Sequence, residues 1–160
     1  MEQSQPIVSL DSNTLIWGIR KKGQPDKVRR ATYLFAKLEE EEAQIIIPSV
    51  VLAEFVTPLE TRQKREAVIA EMRKRFVIAP FDARDAAVAA DLWHYGKNKR
   101  QMKRANARVI LRADTLIVAT AYGYGAQIFY TDDDDCLNMA KKVIPDARKV
   151  SDTIAPNLFT

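Results

Sequence analysis

Short apolar runs alternate along this chain with segments of helical period, and that alternation most restricts how it can fold. Ile7-Val8-Ser9-Leu10, Ile45-Ile46-Ile47, Phe76-Val77-Ile78-Ala79 and Ile128-Phe129-Tyr130-Thr131 are too short for helices and apolar enough for strands buried on both faces. Between them lie stretches with one apolar face. Over residues 27–42, Val28, Ala31, Leu34, Phe35 and Leu38 recur at three- and four-residue spacing. Buried strands separated by amphipathic helices imply a parallel sheet with helices on both sides. The expected architecture is one three-layer α/β/α domain over residues 1–160, a length that suits a single core.

Punctuation sharpens the expected boundaries. A short helix is expected over 13–19, and Asp26 is placed to cap the helix over 27–42. Pro48 closes the second strand, Ser49 caps the helix that carries Glu54, and residues 61–75 form a charged helix. Asp82 caps a helix ended by Gly96, a polar basic stretch follows over 97–112, and a further helix starts near Ala113. A weak last strand is expected near Lys149-Val150.

Composition removes several chemistries. A single Cys, Cys136, excludes an intramolecular disulfide framework and a cysteine-cluster zinc site. A single His, His94, excludes sites built on several imidazoles. Carboxylates are plentiful, so a metal site here would have oxygen ligands and favour a hard cation. The net charge of +4 and the sequence pI near 9.2 favour an acidic partner, of which nucleic acid is the commonest. No apolar run reaches the ~18 residues of a membrane span. The polar opening Met1-Glu2-Gln3-Ser4-Gln5-Pro6 is unlike an export leader, so a cytoplasmic protein is expected.

The acids are informative because of where they fall. In open parallel sheets, sites form beyond the carboxyl ends of the strands, where the strand order reverses. Asp11 ends the first strand, and Asp132 to Asp135 follow the fourth. Glu54 lies in the second turn after the second strand, and Asp114 opens the expected helix before the fourth. If the first and fourth strands are neighbours, these carboxylates share one crevice. Each like-charge pair at ~4 Å costs roughly 4 kcal/mol at an effective dielectric near 20, and a divalent cation removes that cost. Such a site suits phosphodiester hydrolysis by a cation-activated water. A second account needs no metal: Asp11 caps a helix, Glu54 is surface, Asp114 sits at a helix N-terminus, and the Asp run is a solvated turn. The residues alone leave both accounts open.

Four stretches nonetheless occur together in a meaningful order. Val8-Ser9-Leu10-Asp11-Ser12-Asn13-Thr14-Leu15-Ile16, Pro48-Ser49-Val50-Val51-Leu52-Ala53-Glu54-Phe55, Ala113-Asp114-Thr115-Leu116-Ile117-Val118-Ala119-Thr120-Ala121 and Ile128-Phe129-Tyr130-Thr131-Asp132-Asp133 resemble the four motifs of the PIN-domain ribonucleases. The likeness covers about residues 7–137 and is nearest to the VapC-type toxins of bacterial toxin–antitoxin pairs. It implies a PIN-like fold with the first and fourth strands adjacent, and an Mg²⁺- or Mn²⁺-dependent endoribonuclease. It further implies an RNA substrate, a cognate antitoxin and a homodimer. Carried over position by position, it makes Asp11, Glu54, Asp114 and Asp133 both catalytic and metal-binding. Asp132 and Asp135 rival Asp133, and Cys136 stands where the family often has an aromatic residue. Thr131 and Asn13 are candidates for orienting water or carboxylates. The alternatives are a PIN-like module that binds RNA or protein without cutting, and a phosphotransfer receiver that would use Lys149.

Lys97, Lys99, Arg100, Lys103, Arg104, Arg108 and Arg112 precede Asp114 closely enough to guide a phosphate backbone, or they form a solvated face. His94 reads as a structural or surface residue, Trp17 and Trp93 as core or interface anchors, and Cys136 as a small buried residue.

Overall fold

The computed structural model describes residues 4–99 and 107–156, with Lys99 described by its backbone alone. Five strands form one parallel sheet in the order β3-β2-β1-β4-β5. They are β1 (Ile7–Leu10), β2 (Gln44–Pro48), β3 (Val77–Ala79), β4 (Ile128–Tyr130) and β5 (Asp146–Arg148). Val8, Leu10, Ile47 and Phe129 are fully buried, which is why the central strands read as apolar runs without alternation. Ser9, the polar exception, donates its hydroxyl to the Ile46 carbonyl at 2.9 Å.

β1 pairs with β4 in the register Val8↔Ile128, Ser9↔Phe129 and Leu10↔Tyr130. The chain steps outward from β1 to β2 and β3, then returns to the other side of β1 for β4 and β5. The strand order therefore reverses between β1 and β4, the adjacency the carboxylates need.

The helices are α1 (Ser12–Leu15), which continues into a π-helical turn (Ile16–Arg20), α2 (Pro25–Glu40), α3 (Ser49–Val56), α4 (Arg62–Arg75), α5 (Ala83–Lys99), α6 (Ala107–Gly123) and α7 (Asp134–Ala140). A 3₁₀ turn (Val150–Asp152) follows β5. α5 and α6 pack along each other, and α6 also meets α3 and β2. α2 packs instead against the π-helical turn and the 3₁₀ turn. The result is the expected α/β/α arrangement. No helix among the described residues is long and apolar enough to cross a membrane.

Several boundaries differ from expectation. Gly96 does not end α5. It is buried inside the helix, where a Cβ would overlap the Leu111 side chain of α6, so its small size lets the two helices close. α6 correspondingly begins at Ala107, and Asp114 lies about two turns inside it rather than at its N-terminus. Part of the expected basic stretch is thus helical, while Arg100, Lys103 and Arg104 lie outside the described residues. Asp26 is not a cap. Pro25, whose fixed φ suits a first helical position, starts α2 after Gln24, and Asp26 pairs with Arg29 and Arg30 at 2.8 and 2.9 Å. Pro48 leads directly from β2 into α3, leaving Ser49 as the first helical residue. The last strand sits at Asp146–Arg148, just before the expected position.

Candidate active site at the carboxyl edge of β1 and β4

Asp11 is tied to both central strands. Its backbone N–H extends the ladder by donating to the Tyr130 carbonyl at 3.1 Å. Its side chain caps α1: Oδ1 accepts from the Thr14 N–H at 2.9 Å and from the Thr14 hydroxyl at 2.7 Å. Oδ2 accepts from the hydroxyl of Thr131, a fully buried residue just past β4, at 2.6 Å. Burial pushes the Asp11 carboxyl above its ordinary range, and the neighbouring charge of Asp132 adds to that rise. The bonds from Thr131 and Thr14 act against it.

Thr131 serves a second acid. Its hydroxyl oxygen accepts from the Asp133 N–H at 3.2 Å while its proton goes to Asp11. Asp133 then caps α7, accepting from the Cys136 N–H at 2.7 Å. Glu54, exposed on α3, accepts from the hydroxyl of Ser12, the residue after Asp11. Asp114 is half-buried on α6. Cys136 links these observations. Its buried thiol is pushed well up by burial first, and then by the charges of Asp114, Asp11 and Asp133. Three acids from separate elements therefore act on one thiol, and Ser12 brings Glu54 alongside. Among the described residues, no three His, Cys, Asp or Glu side chains close into a ready metal cage.

The acidic run divides by partner. Asp132 Oδ2 pairs with Lys27 at 3.0 Å, and its Oδ1 accepts from the Ser151 N–H at 2.9 Å. Burial raises its proton affinity, but these partners outweigh burial and hold the carboxyl below the usual range. Asp134 pairs with Lys149 at 2.6 Å. Asp135 is exposed in the first turn of α7. Asp133 shares the Thr131 hydroxyl with Asp11.

Other expected residues fall elsewhere. Asn13 is exposed, and Thr14 instead supports Asp11. Thr14 and Ser12 carry no signal of their own in the sequence, where only Asp11, a residue type that caps helices, marks this turn. Lys97, Arg108 and Arg112 are exposed on α5 and α6, with the Arg112 guanidinium 4.3 Å from the Trp93 ring centre. His94 is exposed. Trp17 is half-buried, with the Lys27 ammonium 4.7 Å from its ring centre.

Known proteins bear on this arrangement in two ways. Among solved structures, the chain resembles one in FitAB bound to an IR36 DNA fragment, at 22% identity and a TM-score of 0.61, covering 94% of this chain and 99% of that one. It also resembles one in VapBC2 from Rickettsia felis bound to a DNA fragment from its promoter, at 20% identity and a TM-score of 0.58, covering 89% and 98%. At these identities the likeness is one of fold. No curated protein matches the sequence. The PIN domain family matches residues 8–142, a span that includes Asp11, Glu54, Asp114 and Asp133, and the chain belongs to that family.

Proposed function

We propose that the chain is a single-domain, Mg²⁺- or Mn²⁺-dependent endoribonuclease, the cytoplasmic toxin of a toxin–antitoxin pair, acting as a homodimer. The observation that carries the reading is the shared Thr131 hydroxyl, which joins Asp11 and Asp133 across the β1–β4 switch point. Membership of the PIN family supports a nuclease. The likeness to FitAB and VapBC2, both complexes on DNA, supports a protein partner of the antitoxin kind.

The donor set fits a hard divalent cation. Every candidate ligand is a carboxylate oxygen, and burial raises the proton affinity of Asp11, a cost that a bound cation would offset. Asp11, Glu54, Asp114 and Asp133 would hold it. When bound, the cation supplies Lewis acidity toward a phosphate oxygen and lowers the pKa of a water. The protein fixes the acids around that position. Thr14 and Thr131 orient Asp11, Ser12 restrains Glu54, and Thr131 places Asp133.

Cleavage of total RNA with and without Mg²⁺ tests the reading. EDTA should abolish cleavage, and Asp11→Asn should lower it by at least ~100-fold, the upper range for disturbing a metal ligand's support. An Asp11→Asn protein as active as the parent overturns the assignment. A metal-loaded parent that binds RNA and never cuts it is instead a binding module.

A further inference from the structure

The β4–α7 loop, which carries Thr131 and Asp133, is held by the segment that follows the PIN family match. The PIN match ends at residue 142, yet Thr131 and Asp132 of the loop, and Asp134 at the start of α7, are fastened to the segment after it. The Thr131 N–H donates to the Arg148 carbonyl at 3.0 Å. Ser151 donates both its N–H and its hydroxyl to Asp132 Oδ1, at 2.9 and 3.2 Å. Lys149 pairs with Asp134 at 2.6 Å. The segment is itself strapped to α2. The Arg30 guanidinium donates to the Thr153 carbonyl at 2.6 Å, and the Arg29 guanidinium donates to the Ala155 and Pro156 carbonyls at 3.2 Å. Lys27, from the first turn of the same helix, closes on the free oxygen of Asp132 at 3.0 Å.

Asp132 is the hub of this arrangement. Its side chain is 7% exposed, and both its oxygens are engaged by partners distant in sequence. A fourth carboxylate close to Asp11 would by charge alone add repulsion to the crevice, and Lys27 offsets that charge locally. What Asp132 contributes is an anchor. It lies between Thr131 and Asp133, so fixing it fixes the hydroxyl that orients Asp11 and the acid that caps α7. Repulsion among the crevice acids would otherwise move the loop outward. Supporting contacts of this kind set how well ligands are arranged before a metal arrives.

We propose that Asp132 is a positioning residue, and that the segment 148–151 acts through it as a splint that keeps Asp11 and Asp133 in register for the cation. The proposal rests on the metal-dependent reading above and adds to it an anchoring role for the segment that follows the family match.

The test is a titration of the metal-free full-length protein with Mn²⁺, following free Mn²⁺ by its electron paramagnetic resonance, alongside thermal melting in EDTA. Asp132→Ala should weaken Mn²⁺ binding by about 10- to 100-fold while still melting cooperatively. Asp132→Asn keeps an acceptor for Ser151 but sets an amide N–H against Lys27 in place of the second oxygen, so it should recover part of the lost binding. If Asp132→Ala does not fold, Ser151→Ala, which removes one of two donors to the same oxygen, should show a smaller loss in the same direction. Parental Mn²⁺ affinity in Asp132→Ala, or in Ser151→Ala where that variant stands in, overturns the proposal. So does an Asp132→Asn protein as weak as Asp132→Ala, because charge rather than anchoring would then be at stake. A parent that binds no Mn²⁺ overturns the metal-dependent reading itself and this proposal with it, and the parent titration alone reveals that case.

Discussion

Asp11 does two things that oppose each other. As the cap of α1 and the acceptor for Thr131 it organises the end of β1, and as a buried carboxylate near Asp132 it resists ionisation. Burial dominates, so the folded protein holds the Asp11 proton more tightly than the unfolded chain does. The sign for stability follows. Between the ordinary carboxylate range near pH 4 and the raised folded value, the folded state binds more protons, so stability falls as pH rises. Above the folded value the penalty is complete. Asp11→Asn removes it while keeping an acceptor for Thr14. In EDTA at pH 7 the variant should therefore melt higher than the parent, and the two should converge as the pH falls to about 4. Melting curves across that range check this. A parent that matches or exceeds the variant at pH 7 would show that the Thr14 and Thr131 bonds outweigh burial. The same substitution is expected to abolish cleavage, so a group that costs the apo fold stability would be retained for its chemistry.

Among the elements, the π-helical turn after α1 depends most on a single small residue. Gly18 is buried where the turn crosses α2, and a Cβ there would overlap the Phe35 ring. That ring has little room to retreat, since it packs edge-to-face on Phe76 with centroids 6.0 Å apart. Overpacking of this kind costs about 1–3 kcal/mol, against a gain of at most about 1 kcal/mol from replacing Gly by Ala in a helical backbone. Gly18→Ala should thus lower the denaturation midpoint, and a smaller residue at Phe35 should recover part of the loss. The same physics separates what could be read in the sequence from what could not. β1, β2 and β4 were legible because strands buried on both faces leave runs that are apolar throughout or, in β1, broken only by Ser9. β5 was displaced because Asp146-Ala147-Arg148 is an edge strand with one buried residue between two exposed charges. Gly96 read as a stop because nothing local shows that another helix will cross there. Asp11 and the run from Asp132 to Asp135 were legible as strand-end positions. What divides Asp132 from Asp133 was not, because the partners that engage Asp132, Lys27 and Ser151, lie 105 and 19 residues away along the chain.

At the scale of the whole molecule, the net charge of +4 is a sum of opposed regions. Acids gather over the β1–β4 edge, while Lys97, Arg108 and Arg112 are exposed on the pair of helices that delivers Asp114. On the proposed function, a polyanion approaching the crevice would meet repulsion at its centre and attraction at its margin, so the margin would supply most of the binding and a cation would neutralise the centre. This division has a measurable signature. Cations that contact phosphates release counterions, and for single strands the logarithm of the binding constant falls by about 0.7 per contact for each unit rise in log salt. Asp11→Asn, expected not to cleave, allows RNA binding to be measured at equilibrium. With divalent cation held constant, its affinity for a single-stranded RNA should fall with a log–log slope of about −2 or steeper, the value for roughly three phosphate contacts. Arg108→Ala and Arg112→Ala together should flatten the slope by more than one unit, at about 0.7 per lost contact, and leave the melting temperature of the protein nearly unchanged. An unchanged slope would remove these helices from the RNA path and leave their charge as a solvated face.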